Sequence, residues 1–345
     1  MDKKKILHVL SSRSYSGAEN VVINIIESIN DKFDVIYVSP KGSIELKLGE
    51  KNINYISLKS MSPISLYRVY REVNPDFIHA HDFKASIFSA LTFNKATLIS
   101  HIHHNPAWME KINSKSLLYA LTSFFYSKII FVSKAILNEA KLIKVFEKKV
   151  EIIENSVDQN YVISSAKKNE SLDEEYDIAF IGRLSDEKDP LRFINIVKKI
   201  VDIDTNIKAV MVGDGNLKSE CEALIANYNL ENHITLKGFL NNPFPILNVS
   251  KVLVIPSKEE GFGLVAVEAM ILSKPVFSTS VGGLKKIVRE ECGGICATNE
   301  EFVNKILNAL NNKEYYVEIS RNSKLNSLIY IKDDKWDEKI KSIYN

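Results

Sequence analysis

Short runs of apolar and β-branched residues recur along the chain at 6–10, 35–39, 77–81, 97–101, 129–133 and 150–154, and again at 178–182, 209–213, 234–238, 252–256 and 275–279. Between many of them apolar positions repeat every three or four residues, the period of a helix with one buried face. A strand, a helix and another strand in succession need a crossover connection. The alternation therefore predicts parallel sheets with helices on both faces, a doubly wound α/β protein. The pattern lapses between 159 and 176, where polar residues show no sustained apolar face. This stretch reads as a linker between a first domain, 1–158, and a second, 177–328. Each half has a glycine-bearing turn after an early strand, and two such halves facing each other would form a cleft. In open parallel sheets ligands sit beyond the C-terminal ends of the strands. Residues 329–345 carry Trp336, Ile340, Ile343 and Tyr344 at helical spacing; this stripe packs either on the second domain or back on the first.

Composition narrows the classes. A length of 345 residues suits two domains at roughly 150 residues each. With 45% hydrophobic and 26% charged residues, 13 Gly and 9 Pro, long disorder is excluded. A net charge of +2 is too small to attract nucleic acid. The charge is uneven, however: residues 1–158 hold 21 Lys+Arg against 16 Asp+Glu, or +5, and the remainder carries −3. The first half is thus the side expected to meet an anionic surface. The odd set Cys221, Cys292 and Cys296, with no signal-peptide pattern at 1–10, fits free thiols and a cytoplasmic location. The Cys292–Cys296 spacing lacks the second ligand pair of a structural zinc site. The longest apolar stretch, 117–126, has about half the ~20 residues a membrane helix needs.

Three strand-end segments can carry chemistry. Residues 11–20 form a small-residue turn around Gly17 that opens an apolar helix, whose free N–H groups attract anions; it lacks the full GxGxxG pattern, and a plain tight turn fits equally. After the run at 178–182, Arg183 and Lys188 place two cations on one loop, suited either to a pyrophosphate or to solvent. In the third, 256–270, a strand ends, Gly261 and Gly263 let backbone approach a ligand, and a helix begins. Glu260 in that loop can accept hydrogen bonds from sugar hydroxyls. Glu268 lies in an otherwise apolar helix, where a carboxylate needs a partner such as a ribose hydroxyl unless it faces solvent.

Taken together, Gly182-Arg183 with Lys188, Gly213-Asp214-Gly215, Glu260-Gly261-Phe262-Gly263 with Glu268-Ala269, and Val281-Gly282-Gly283 resemble the retaining GT-B glycosyltransferases of family 4, the glycosyl transferases group 1, over nearly the whole chain. The resemblance implies two Rossmann-like domains, the first for the acceptor and the second for a nucleotide-sugar donor. It implies that Arg183 and Lys188 hold the donor diphosphate and that Glu260 contacts the donor sugar. It further implies that backbone from Gly261, Phe262, Gly263 and Leu264 supports sugar or phosphate, and that Glu268 contacts the ribose. Gly17 matches the family's glycine turn beside the diphosphate. The segment 99–103 looks like its strand-end histidine motif, with His103 preferred over His101 and His104. His103, Glu260, Arg183 and Lys188 are the expected catalytic residues. The histidines at 79, 81, 101, 103 and 104 raise a metal site as the alternative. Enzymes of this kind look metal-independent, so neither metal nor cofactor is expected. The chain departs from the family at Ser156, Ser273 and Lys286, where Gly, Gly and Glu are common.

The implied reaction moves a hexosyl unit from a nucleoside-diphosphate sugar, a UDP-sugar by preference, to a saccharide or lipid-linked saccharide, with retention of configuration. A chain rich in Lys, Asn and Ile fits a bacterium with an AT-rich genome, and hence surface polysaccharide synthesis. The competing readings are a nucleotide-sugar epimerase on the same architecture and a catalytically silent nucleotide-sugar-binding subunit. Lysines at 111, 115, 128, 141, 144, 148 and 149 alternate with apolar residues, which suits either peripheral contact with the inner face of an anionic membrane or ordinary core-packed helices.

Overall fold

Seven parallel strands build the first sheet: β1 (Lys5–Val9), β2 (Asp34–Pro40), β3 (Asn54–Leu58), β4 (Phe77–Ala80), β5 (Thr97–Ile102), β6 (Lys128–Phe131) and β7 (Val150–Ile152), in the order β3-β2-β1-β4-β5-β6-β7. Six more build the second: β8 (Tyr176–Ile181), β9 (Ala209–Val212), β10 (Ile234–Gly238), β11 (Ser250–Ile255), β12 (Val276–Ser278) and β13 (Gly293–Ile295), in the order β10-β9-β8-β11-β12-β13. The computed structural model describes residues 3–13, 17–92, 94–103, 109, 111–168 and 174–345. They divide into one unit of 1–156 with 333–345 and another of 157–332.

The central strands are buried along almost their whole length, as strands covered on both faces must be. In each sheet the chain winds outward from its first strand and then returns to that strand's other side. The topological switch points therefore lie between β1 and β4 in the first sheet and between β8 and β11 in the second. Two strands have no counterpart among the apolar runs. β3 is half exposed at a sheet edge, and β13 is the three residues Gly-Gly-Ile at another.

The helix Pro190–Val201 shows how the second unit positions its loops. Asp189, at φ 50°, accepts a hydrogen bond from the Arg192 N–H, and Pro190 follows at the first helical position. Phe193, Ile196, Val197 and Ile200 then fall on one buried face, each contributing about 2 kcal/mol by burial. The cap anchors the loop that precedes it.

The polar stretch expected to be linker is helical at Gln159–Ala166. Asp158 caps this helix by accepting from the Tyr161 N–H at 2.9 Å, and Tyr161 meets Phe244 edge to face at 6.0 Å. Only Val162, Ser165 and Ala166 are buried, so the packed face is too small and polar to register as an apolar stripe. Residues 169–173 of the stretch lie outside the described residues. The helix Asp334–Ser342 belongs to the first unit and packs on the helix Gly17–Ile29. Trp336 Nε1 donates to the Glu154 carbonyl at 3.0 Å. All three cysteines are buried free thiols.

Candidate active site

Strands β8 and β11 are neighbours, with Ile178 paired to Val252, so the loops beyond their C-terminal ends meet. The loop after β8 is held by Leu184 N–H donating to the Asp214 carbonyl at 3.0 Å and by Lys188 N–H donating to the Ser185 carbonyl at 3.0 Å. The backbone N–H groups of Lys258 and Glu259 both donate to the Glu187 carbonyl, at 2.9 and 3.2 Å. The Lys258 ammonium also reaches Asp186 Oδ1 at 2.6 Å. Two strand-end loops are thereby joined into one surface.

On that surface Lys188 Nζ lies 2.5 Å from Glu260 Oε2, with side-chain exposures of 27% and 13%. The Arg183 guanidinium is 59% exposed and only loosely associated with Glu187, at 3.8 Å. An exposed pair of that length adds little stability. A partly buried carboxylate beside Lys188, with the exposed Arg183 on the same loop as that lysine, can hold a hydroxyl-bearing group and an anion.

Glycines shape the acidic loop. Gly263 adopts φ +99° immediately before the helix Leu264–Ile271, a conformation that disfavours any side chain. Gly282 sits so close to the loop that a Cβ there would fall 1.6 Å from the Glu260 carbonyl oxygen, and Gly283 N–H donates to the Gly261 carbonyl at 3.0 Å. The Val281-Gly282-Gly283 segment thus buttresses the Glu260 loop. The helix beginning at Leu264 turns its first N–H groups toward the same loop end. Within it Glu268 is partly buried, and desolvation pushes its carboxyl up to about 7.

In the first unit, five histidines gather on one face at the β1/β4 switch point. His8 pairs with His79 in register, His79 and His81 follow strand alternation, and His101 and His103 do the same from β5. All five are buried. His8 Nδ1 is 2.7 Å from His81 Nε2, His81 Nδ1 is 2.9 Å from His103 Nε2, and His79 Nδ1 is 2.7 Å from the Tyr344 hydroxyl. The rings of His79 and His81, and of His101 and His103, stack at 4.1 Å. Burial depresses His8 to about 3 and holds His79, His81 and His101 well below the ordinary imidazole value, so these rings are neutral. Two trios, His8-His79-His81 and His81-His101-His103, bring ligand atoms within 4.8 Å of one another.

Of the residues singled out from sequence, Lys188 and Glu260 are in contact, Arg183 shares the Lys188 loop, and Gly261 to Leu264 with Glu268 continue directly from Glu260. Gly17 begins the helix Gly17–Ile29; Ser14 to Ser16 and His104 lie outside the described residues. His103 stands just past β5 at the other switch point, within its own unit. Sequence reasoning passed over Ser185 and Ser257. Their buried hydroxyls have no hydrogen-bond partner among the described residues, at the ends of β8 and β11. Their position after apolar runs was the only available signal. His8 was passed over too, although its place in the first run, on the face shared with His79, was legible.

Residues 163–326 match the family described as glycosyl transferases group 1, and residues 15–161 match glycosyltransferase family 4. An uncharacterized glycosyltransferase of Methanocaldococcus jannaschii is 33% identical over 260 residues, 72% of this chain and 69% of the relative. The UDP-Gal:alpha-D-GlcNAc-diphosphoundecaprenol alpha-1,3-galactosyltransferase of Escherichia coli is 26% identical over 99% of this chain and 97% of its own. Among solved structures, HepE of Anabaena in complex with UDP and glucose superposes with a TM-score of 0.86 at 20% identity, covering 99% of both chains. With the two parallel sheets, that likeness makes the fold GT-B.

Proposed function

We propose, since this chain belongs to the group 1 glycosyltransferases, that it transfers a hexosyl unit from a nucleoside-diphosphate sugar, a UDP-sugar, to a saccharide or lipid-linked saccharide, with retention at the anomeric carbon. The observation that carries the reading is the Lys188–Glu260 contact at 2.5 Å, which joins the loops after β8 and β11 at the switch point. In this reading Arg183 and Lys188 bind the diphosphate and take up the charge that grows on it as the glycosidic bond breaks. Glu260 accepts hydrogen bonds from the sugar, backbone from Gly261 to Leu264 flanks it, and Glu268 receives a ribose hydroxyl. In the first unit, His103 and the turn at Gly17 serve the sugar and the acceptor. Two side-chain cations supply the leaving-group stabilisation that a metal would otherwise provide, so the reaction is metal-independent. The relative in Escherichia coli that carries a diphosphoundecaprenol acceptor in its name supports a lipid-linked acceptor and polysaccharide synthesis. No observation favours the epimerase or the silent subunit.

A lipid-linked acceptor also calls for contact with a membrane. The helix Ser114–Thr122 and the turn after it expose Leu117, Leu121, Phe124 and Phe125 beside Lys111 and Lys115, and no helix among the described residues is long and apolar enough to cross a bilayer. An apolar face with a basic border rests on anionic headgroups at the cytoplasmic surface. Lys149 is not part of that border. Its ammonium donates to the carbonyls of Ser123, Phe124 and Tyr126 at 3.2, 3.0 and 2.8 Å and holds the turn together.

A thermal-shift series with nucleoside diphosphates and their sugar conjugates tests the donor assignment. A native-state ligand at 100 times its Kd adds about 2.7 kcal/mol of stability. UDP and a UDP-hexose are expected to raise the melting temperature of the wild type but not of the Arg183→Ala, Lys188→Ala double variant. Equal shifts in both proteins would refute the site.

A further inference from the structure

Three of the five buried histidines are linked in series, by His8 Nδ1 to His81 Nε2 at 2.7 Å and His81 Nδ1 to His103 Nε2 at 2.9 Å. Two nitrogens on one tetrahedral zinc, each 2.0–2.1 Å from the ion, stand about 3.3 Å apart. Separations of 2.7 and 2.9 Å are instead those of hydrogen bonds. A neutral imidazole offers one N–H and one lone pair. If His81 donates from Nδ1 to His103, its Nε2 must accept from His8; if it donates from Nε2 to His8, its Nδ1 must accept from His103. The three rings can therefore be protonated all at Nδ1 or all at Nε2, and no mixture keeps both bonds.

We propose that His81 and His8 are positioning residues that set, through this chain of hydrogen bonds, which nitrogen of His103 carries its proton. The proposal rests on the reading of His103 as a contact to the donor sugar. The two ends select the direction. Both of them, His8 Nε2 and His103 Nδ1, are buried, but His8 lies fully covered inside β1 whereas His103 stands past the C-terminal end of β5, where a ligand can reach it. An N–H is harder to leave without an acceptor than a lone pair, so it belongs at His103. His8 therefore keeps its proton on Nδ1 and donates to His81, and His81 donates from Nδ1 to His103. His103 accepts at Nε2 and presents Nδ1–H, a donor suited to a hydroxyl or phosphate oxygen. The stacked rings of His101 and His79 wall the chain from the side.

Nitrogen-15 NMR of the full chain, labelled at histidine, reads the protonated nitrogen directly. The expected result is Nδ1–H at His8, His81 and His103 alike, unchanged by zinc chloride. Mixed tautomers, a common Nε2–H form, or zinc-dependent shifts of all three rings would overturn the proposal. His81→Leu is expected to release the fixed tautomer, leaving His103 as a mixture of Nδ1–H and Nε2–H, and to lower kcat about tenfold with the donor KM little changed. His81→Asn, whose amide N–H occupies the place of Nδ1–H, is expected to restore both the tautomer and most of the rate. If His81→Leu does not fold, the wild-type spectrum still decides. A fully active His103→Ala variant would sink the role of His103 itself, whereas an inactive His81→Leu variant with His103 still protonated at Nδ1 would sink only the positioning role.

Discussion

Lys188 sets its ammonium 2.5 Å from Glu260 Oε2, across two loops that follow neighbouring strands. Because both side chains retain some solvent contact, the pair contributes at most about 1 kcal/mol to folding. Lys188→Ala is expected to fold with a near-normal melting temperature yet lose roughly 10²–10³ in kcat, the range for removing one group that stabilises charge in a transition state. Arg183→Ala is expected to behave likewise, since its guanidinium is the more exposed of the two. Wild-type turnover in both variants would remove them from the reaction.

Glu268 supplies a pH test. Its folded carboxyl titrates near 7, above the ordinary 4.5, so the folded chain holds a proton that the unfolded chain releases. The associated stability is full below about pH 4.5 and is lost as pH rises through 7. Glu268→Gln is therefore expected to match the wild type at pH 5 and to exceed it by roughly 2 kcal/mol at pH 8.5, measured by urea unfolding. Donor binding should tighten from pH 6 to 8 in the wild type, as the carboxylate forms to accept a hydroxyl, and stay flat in the variant.

The histidine cluster makes the first unit acid-sensitive. His8, His79, His81 and His101 are held neutral in the fold, while the unfolded chain protonates them near 6.5. Their contribution is full above pH 6.5 and falls as pH drops below it, by about 1.4 kcal/mol per histidine per pH unit. The tryptophan fluorescence of Trp336, which sits on this unit, should report unfolding at lower urea at pH 5.5 than at 7.5. An unchanged midpoint would mean the buried rings accept protons in place.

Sedimentation with anionic vesicles checks the membrane surface. Binding should weaken as salt is raised, and with Lys111 and Lys115 changed to Glu, both being exposed. Phe124→Ser with Phe125→Ser should weaken it independently of salt. Binding unaltered in all arms would discard the contact.

Much of the fold is written in the sequence itself. Strands covered on both faces spell continuous apolar runs, and eleven of the thirteen strands among the described residues overlap one. β3 escaped because an edge strand leaves Asn54 and Ser57 exposed, and β13 because Gly293-Gly294-Ile295 has almost no side chain to read. The loops bearing Arg183, Lys188 and Glu260 were identifiable from glycines and strand ends. That Lys188 touches Glu260 depends on β8 lying beside β11, a sheet order that periodicity does not encode. The histidines had the alternation of a shared face at 79, 81, 101 and 103, but the bonds between them need the register of β1, β4 and β5.

Tyr344 reaches back to His79 from 265 residues away, and its ring closes against Phe33 and Phe77. The two units therefore differ in how they can be dissected. Residues 157–332 are one uninterrupted segment and are suited to expression alone. A fragment ending at 156 would leave the rings of Phe33, Phe77 and His79 without their Tyr344 cover, and would tend to aggregate. Splicing 333–345 onto that fragment through a short glycine-serine bridge should recover a monodisperse half-molecule, since those thirteen residues serve as the missing wall of a core begun more than three hundred residues earlier.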